Sequence, residues 1–311
     1  MENKIERIKQ GIRERIIGNE ATIDLVLAGL FAGGHILLED MPGTGKTLMA
    51  KTLASLIDAE FSRIQFTPDL LPSDITGIHY YQPATGEFAF RRGPVFAGII
   101  LADEINRATP RTQSALLECM EEHQVTIDTD TFALSDPFFV IATQNPVETA
   151  GTFKLPEASL DRFAMKLSMA DITAEEEVMI LDRYEGEAKP MPAPVMSTED
   201  VRNLRKAVDD VYIAPCLKRY IVDICQTSGK TPGILSGASP RAALSLMRCA
   251  KAYVMCAGRE FVTPEDIKYL APFCLAHRII LKSEIGRQSD PKDLIAHVLT
   301  NVTVPTEDWS R

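Results

Sequence analysis

The chain has 311 residues, 45% of them apolar and 24% charged, with 33 Lys and Arg against 43 Asp and Glu for a formal charge of −10. That length favours two domains, or one large α/β domain with an appendage. The composition excludes disordered, collagen-like and disulfide-scaffold chains, and the acidic balance argues against wrapping a long nucleic acid or docking on anionic lipid while allowing a local basic patch.

The N-terminal MENKIERIKQGIRER is charged throughout and is neither a signal peptide nor a transit sequence in character. Apolar runs such as PVFAGIILA are too short to span a bilayer, so a cytoplasmic protein is expected. Cys119, Cys216, Cys225, Cys249, Cys256 and Cys274 form no CxxC pair and read as reduced packing residues rather than disulfides or a zinc site.

In chain order, short β-type runs alternate with helical patterns. HILLE from 35, FSRIQF from 61, GIILAD from 98 and PFFVIAT from 137 interleave with TLMAKTLASLI and RTQSALLECMEE. This alternation predicts a parallel sheet with helices on its faces, and the unbroken apolar character of GIILA and FFVIA marks central strands. Two further stretches, about 73–93 and 123–137, read as hairpins. Around 185–200 the proline-rich EGEAKPMPAPVMSTED breaks the periodicity and is read as a linker, with Ser197-Thr198-Glu199-Asp200 supplying helix-start chemistry. Beyond it, amphipathic patterns with Ser-Pro and Thr-Pro starts predict a small all-helical domain. The division is therefore 1–185 and 186–311.

Directly after HILLE comes Asp40-Met41-Pro42-Gly43-Thr44-Gly45-Lys46-Thr47, then the helical pattern from Leu48. Strand, glycine-rich turn and helix is the context of a phosphate-binding loop. Gly43 and Gly45 supply the backbone freedom to turn N–H groups inward, and the helix presents its positive end. Lys46 would neutralise β- and γ-phosphate oxygens, and the Thr47 hydroxyl would bind Mg²⁺. Asp40 stands where the consensus has its first glycine, so its carboxylate is expected to turn outward or to cap local backbone.

The run GIILA ends in Asp103-Glu104. An Asp at a strand end beside the phosphate loop can hold a magnesium-bound water, and the next Glu can orient and deprotonate the attacking water. Because side chains alternate along a strand, Asp103 is assigned to the metal and Glu104 to the base. PFFVIAT delivers Asn145 to the same carboxyl edge, where it could hold that water, sense the γ-phosphate, or serve only the turn.

The set HILLEDMPGTGKT, IILADEINRA, VIATQNP, LPEASLDRF and GASPRA resembles the AAA+ ATPases, specifically the MoxR family, over about residues 10–305. The resemblance implies a P-loop sheet domain with a helical lid and a homo-oligomeric ring, usually a hexamer, with ATP between neighbours. It also implies Asn145 as first sensor, Arg162 as a finger reaching the neighbour's γ-phosphate, and Arg241 as lid sensor. Arg107 is a further candidate for a neighbour's site. Arg15-Ile16-Ile17-Gly18-Asn19 resembles the segment lining the adenine pocket, with Ile16 or Ile17 against the base. The two hairpins look like the family's insertions, which face the pore or one ring face. Tyr80, Tyr81, Phe88, Phe90, Arg91 and Arg92 are candidates for gripping a partner; the alternative is that they pack their own hairpin.

The leading expectation is a Mg²⁺-dependent ATPase remodelling or activating a protein partner, by family likeness one with a von Willebrand factor A domain. The alternatives are a nucleic-acid remodelling ring, disfavoured by the net charge, and a nucleotide-gated scaffold with little turnover. His79, His123 and His277 lack acids or cysteines at ligand spacing, so neither metal binding nor base chemistry is assigned to them.

Overall fold

The computed structural model describes residues 2–39, 43–145, 151–169, 172–184, 190–282 and 290–306. Helices α1 (Glu2–Arg13) and α2 (Glu20–Phe31) precede β1 (Ile36–Glu39), α3 (Lys46–Leu56), β2 (Phe61–Gln65) and the short α4 (Pro72–Thr76). A hairpin of β3 (Gly77–Gln82) and β4 (Glu87–Arg92) leads to β5 (Ile99–Asp103) and α5 (Pro110–Glu122). A second hairpin, β6 (Gln124–Ile127) and β7 (Asp130–Ala133), leads to β8 (Phe139–Gln144), α6 (Glu157–Leu160), β9 (Met165–Leu167) and α7 (Ala174–Tyr184).

Among the described residues the main sheet has five strands in the order β2-β5-β8-β1-β9, every neighbouring pair parallel. Strand side chains alternate between two cores, as the pleat requires. Leu37, Ile100, Ala102, Val140 and Ala142 face one core with Leu116 and Leu117 of α5. Ile36, Leu38, Ile99, Leu101, Phe139 and Ile141 face the other. Burial on both faces explains why these strands are continuously apolar.

The second core extends beyond the sheet. Ile5, Ile8 and Ile12 of α1 enter it at helical spacing. Helix α2 is buried nearly all round: Gly29 lies against Ile36 and Met165 of the sheet, and the C-terminal helices cover the opposite side.

Those helices are α8 (Thr198–Asp210), α9 (Pro215–Ser228), α10 (Pro240–Cys256), α11 (Pro264–Leu275) and α12 (Pro291–Thr300). A ribbon of β10 (Ile234–Ser236) and β11 (Ile280–Leu281) joins them. Their starts follow the chemistry in the sequence: at α8, Ser197 Oγ accepts from Asp200 N at 3.2 Å while Ser197 N donates to Asp200 Oδ2 at 2.9 Å. Thr263 and Asp266 repeat this capping box at α11. Residues 185–189 lie outside the described chain. The stretch that follows is docked, with the N–H groups of Val195 and Met196 donating to the Leu56 carbonyl at 2.8 and 3.1 Å.

The two hairpins pack on each other. Phe90 stacks on Phe132 with ring centres 4.4 Å apart, and His79 Nδ1 stands 2.9 Å from Asp128 Oδ2. The Arg92 guanidinium lies over Phe96. Phe90 and Arg92 therefore serve packing, whereas Tyr80, Tyr81 and Phe88 are exposed, with Tyr81 and Phe88 paired edge to face across the hairpin at 5.6 Å. No helix among the described residues is long and apolar enough to cross a membrane.

Candidate active site

The phosphate loop leaves β1 at its carboxyl end. Asp40 and Pro42 lie outside the described residues. Gly43 and Gly45 have φ of +91° and +86°, a region side chains rarely adopt, so glycine is what permits this turn. Helix α3 begins at Lys46, which is buried, and Thr47 and Leu48 are half-buried in its first turn. Thr44 stands half-buried between the two glycines. Among the described residues, the first turn of α3 carries no acidic residue and its start no side-chain cap hydrogen bond, which leaves the positive end of the helix dipole open to an anion. These residues fit a triphosphate: Lys46 offers a cation and Thr47 a hydroxyl, both in the first turn of the helix that the loop enters.

Behind the loop lies the adenine-pocket candidate. Ile16 is buried, with its Cδ1 3.6 Å from where a Gly45 Cβ would be. Ile17 is half-buried. Gly18, at φ +68°, is covered by α7, since a Cβ there would meet Glu176 Oε1 at 2.9 Å.

The acids at the end of β5 stand two strands from β1, at the same carboxyl edge of the sheet. β8 intervenes between β5 and β1, so Asp103 is not on the strand beside the phosphate loop. The same insertion puts Asn145, half-buried directly after β8, between the loop and the acids. Thr143 fixes both acids through one hydroxyl, donating to Asp103 Oδ1 at 2.7 Å and accepting from Glu104 N at 2.8 Å. Arg63 holds the other Asp103 oxygen at 2.6 Å.

Glu104 diverges from Asp103 for a reason other than strand alternation. It lies past the strand end in the left-handed conformation, φ +57° and ψ +48°, uncommon for a residue with a side chain. Its Oε2 receives hydrogen bonds from Gln65 Nε2 at 2.8 Å and Arg107 Nη1 at 2.9 Å. Gln113 braces the following loop, its buried amide donating to the carbonyls of Ile105, Ala108 and Phe153, each at 3.1 Å.

Arg162 and Arg241 are together, but elsewhere. Both bind Glu121 at the end of α5: Arg162 Nε to Oε2 at 2.6 Å, and Arg241 Nη1 to Oε1 at 2.9 Å. The Arg162 hydrogen bond, then that of Arg241, holds the Glu121 carboxyl below the usual carboxylate range. Buried Arg278 completes the cluster against Asp161 at 3.1 Å.

This cluster sits at the amino edge of the sheet. His35, the residue before β1, is 3.1 Å from the carbonyl of Met120, next to Glu121. The phosphate loop leaves the opposite end of β1, roughly 13 Å away at the rise of an extended strand.

Arg63, Gln65, Thr143 and Glu121 escaped the sequence reading. A signal existed for the first two: in FSRIQF, Arg63 and Gln65 alternate on one face at a strand's carboxyl end, and Gln65 lies in register with Asp103. Nothing local marks Glu121.

A parallel sheet of this order, with a phosphate loop after β1, acids after β5 and a helical domain packed behind, defines an ATPase of the AAA+ class. Residues 35–165 match the ATPase family associated with various cellular activities, and residues 229–298 match the AAA lid domain. The chain is 47% identical to YeaC of Bacillus subtilis (strain 168), described as uncharacterized, over 95% of this chain and 93% of that protein. It is 38% identical to chaperone MoxR1 of Mycobacterium tuberculosis (strain ATCC 25618 / H37Rv), over 97% and 82% of the two chains. A solved structure of a candidate ATPase from Cytophaga hutchinsonii ATCC 33406 superposes with a TM-score of 0.92 at 41% identity, covering 98% of this chain and 96% of that one. The chain belongs to the MoxR family of AAA+ ATPases.

Proposed function

We propose that this ATPase hydrolyses ATP with Mg²⁺ in a cytoplasmic homo-oligomeric ring, a hexamer, and uses the cycle to remodel or activate a protein client. Lys46 and the loop residues 42–48 bind the phosphates, Ile17 and Gly18 border the base, and Thr47 and Asp103 hold the metal. Glu104 draws the proton from the attacking water, which Asn145 orients. Bound Mg²⁺ would neutralise charge on the β- and γ-phosphates. Arg162 and Arg241 stabilise the developing γ-phosphate charge from the adjacent subunit.

One observation carries this reading: both arginines converge on Glu121 at the amino edge, away from their own phosphate loop. Arginines so placed serve a site only when a second copy brings its loop to them. The name of MoxR1 supports a protein client, and a von Willebrand factor A domain as that client rests on family likeness alone.

ATPase activity against protein concentration tests it. Specific activity should rise with concentration, and Arg162→Ala should bind ATP but lose about 10³-fold or more in turnover. Activity flat on dilution and intact in the variant would remove the shared site.

A further inference from the structure

Two apolar surfaces lack a partner among the described residues, and they lie beside opposite halves of the proposed shared site. The first is a groove of about 490 Å³ between α9 and α10, lined by Ile221, Val222, Pro240, Leu244 and Met247, with exposed Lys218 among its walls. Leu244 is 58% exposed. Pro240 is followed directly by Arg241, so the groove opens beside the arginine cluster.

The second surface is α7. Its side toward the chain carries Glu176, Ile180 and Arg183, all partly buried, and Glu176 covers Gly18 next to the phosphate loop. At 100° per residue the opposite side is centred on Val178, with Leu181 on one flank and the acids Glu175 and Asp182 on the other. Val178 and Leu181 are 56% and 62% exposed and Met179 beside them is 55% exposed, an unusual apolar exposure on a surface helix.

We infer that α7 of one subunit seats in the α9–α10 groove of the next, Val178 and Leu181 entering beside Leu244 and Met247 while Glu175 and Asp182 meet Lys218. The inference rests on the shared-site reading, because a neighbour whose phosphate loop approaches Arg162 and Arg241 brings the α7 beside that loop toward the groove beside Arg241. Shape and charge agree: an apolar ridge with an acidic flank faces an apolar trough with a basic wall. Seating the helix would also make the Gly18 region respond to the neighbour, since Glu176 lies on that helix.

Oxidative crosslinking tests this. In a Cys225→Ser background, since Cys225 also lines the groove, Val178→Cys with Leu244→Cys in one chain, treated with copper phenanthroline in the presence of Mg²⁺ and a non-hydrolysable ATP analogue, should give disulfide-linked dimers and larger species, and each single variant should give none. Leu244→Glu should lower the assembled fraction in sedimentation velocity without changing the melting temperature of the dilute chain. Assembly and Arg162-dependent turnover without crosslinks would overturn the helix-in-groove contact while leaving the shared site standing. No assembly at any concentration would overturn both.

Discussion

Gln65 Nε2 lies 2.8 Å from Oε2 of Glu104, and the same oxygen accepts from Arg107 at 2.9 Å. The candidate base is thus held from β2 on one side and from its own loop on the other. Glu104→Gln should keep nucleotide binding and lose about 10²- to 10⁴-fold in turnover, the usual weight of a positioned base. A silent Glu104→Gln would instead favour the scaffold reading.

Gln65 acts through Glu104 as a positioning residue. A hydrogen bond to a charged group is worth about 1.5–3 kcal/mol, so Gln65→Ala should lower kcat about tenfold or more with KM unchanged. Gln65→Asn, which keeps the amide, should recover part of the loss. Equal changes in kcat and KM for Gln65→Ala would contradict this role.

Lys46→Ala should remove ligand stabilisation. At 100 times its Kd, a ligand that binds only the folded state adds about 2.7 kcal/mol. The wild-type melting temperature should therefore rise with Mg²⁺ and ATP, and that of Lys46→Ala should stay where it is without them. Chelating Mg²⁺ should reduce the wild-type rise.

Acid should destabilise the fold through two buried histidines. Burial pushes His35 down to about 3, from an ordinary 6.5, and His277 likewise to about 3 through burial and its neighbour Arg278. His35 Nδ1 accepts from the Val140 N–H at 3.1 Å, so a second ring proton would face a donor. The unfolded chain takes up these protons near pH 6.5 and the folded chain only near 3. The stabilisation is present above 6.5 and is lost as pH falls, by about 1.4 kcal/mol per histidine per pH unit. Urea unfolding at pH 7.5 and 5.0 checks this, and His35→Asn should flatten the dependence.

On the hairpins, Tyr81→Ser and Phe88→Ser should lower the melting temperature only slightly, because both rings are exposed and a cross-strand pair such as theirs is worth about 0.2–1 kcal/mol. Phe90→Ala should lower it, because that ring stacks on Phe132 and also meets Phe96. A client held by the hairpins should respond in the opposite order, with binding lost in the first pair.

The sheet strands and the phosphate loop were legible because their physics is local: unbroken apolar runs mark buried parallel strands, and Gly43 and Gly45 mark a left-handed turn. The helix starts were legible for the same reason, as at Ser197 and Asp200. Relations across the sheet were not. That β8 separates Asp103 from the phosphate-loop strand depends on strand order, which no residue spells out. Glu121 looks like any acid at a helix end, and only packing brings Arg162 and Arg241, 79 residues apart in the sequence, onto its two oxygens. Helix α1 was hidden by its charge, although Ile5, Ile8 and Ile12 carry the helical spacing.

Mixing two inactive variants tests the shared site most directly. Lys46→Ala lacks a working phosphate loop but keeps Arg162 and Arg241, whereas Arg162→Ala keeps the loop and lacks the finger. If each site is built from two subunits, the mixture should regain ATPase activity that neither variant shows alone, rising with total protein. A mixture as inactive as its components, under conditions where the two co-assemble, would contradict the account.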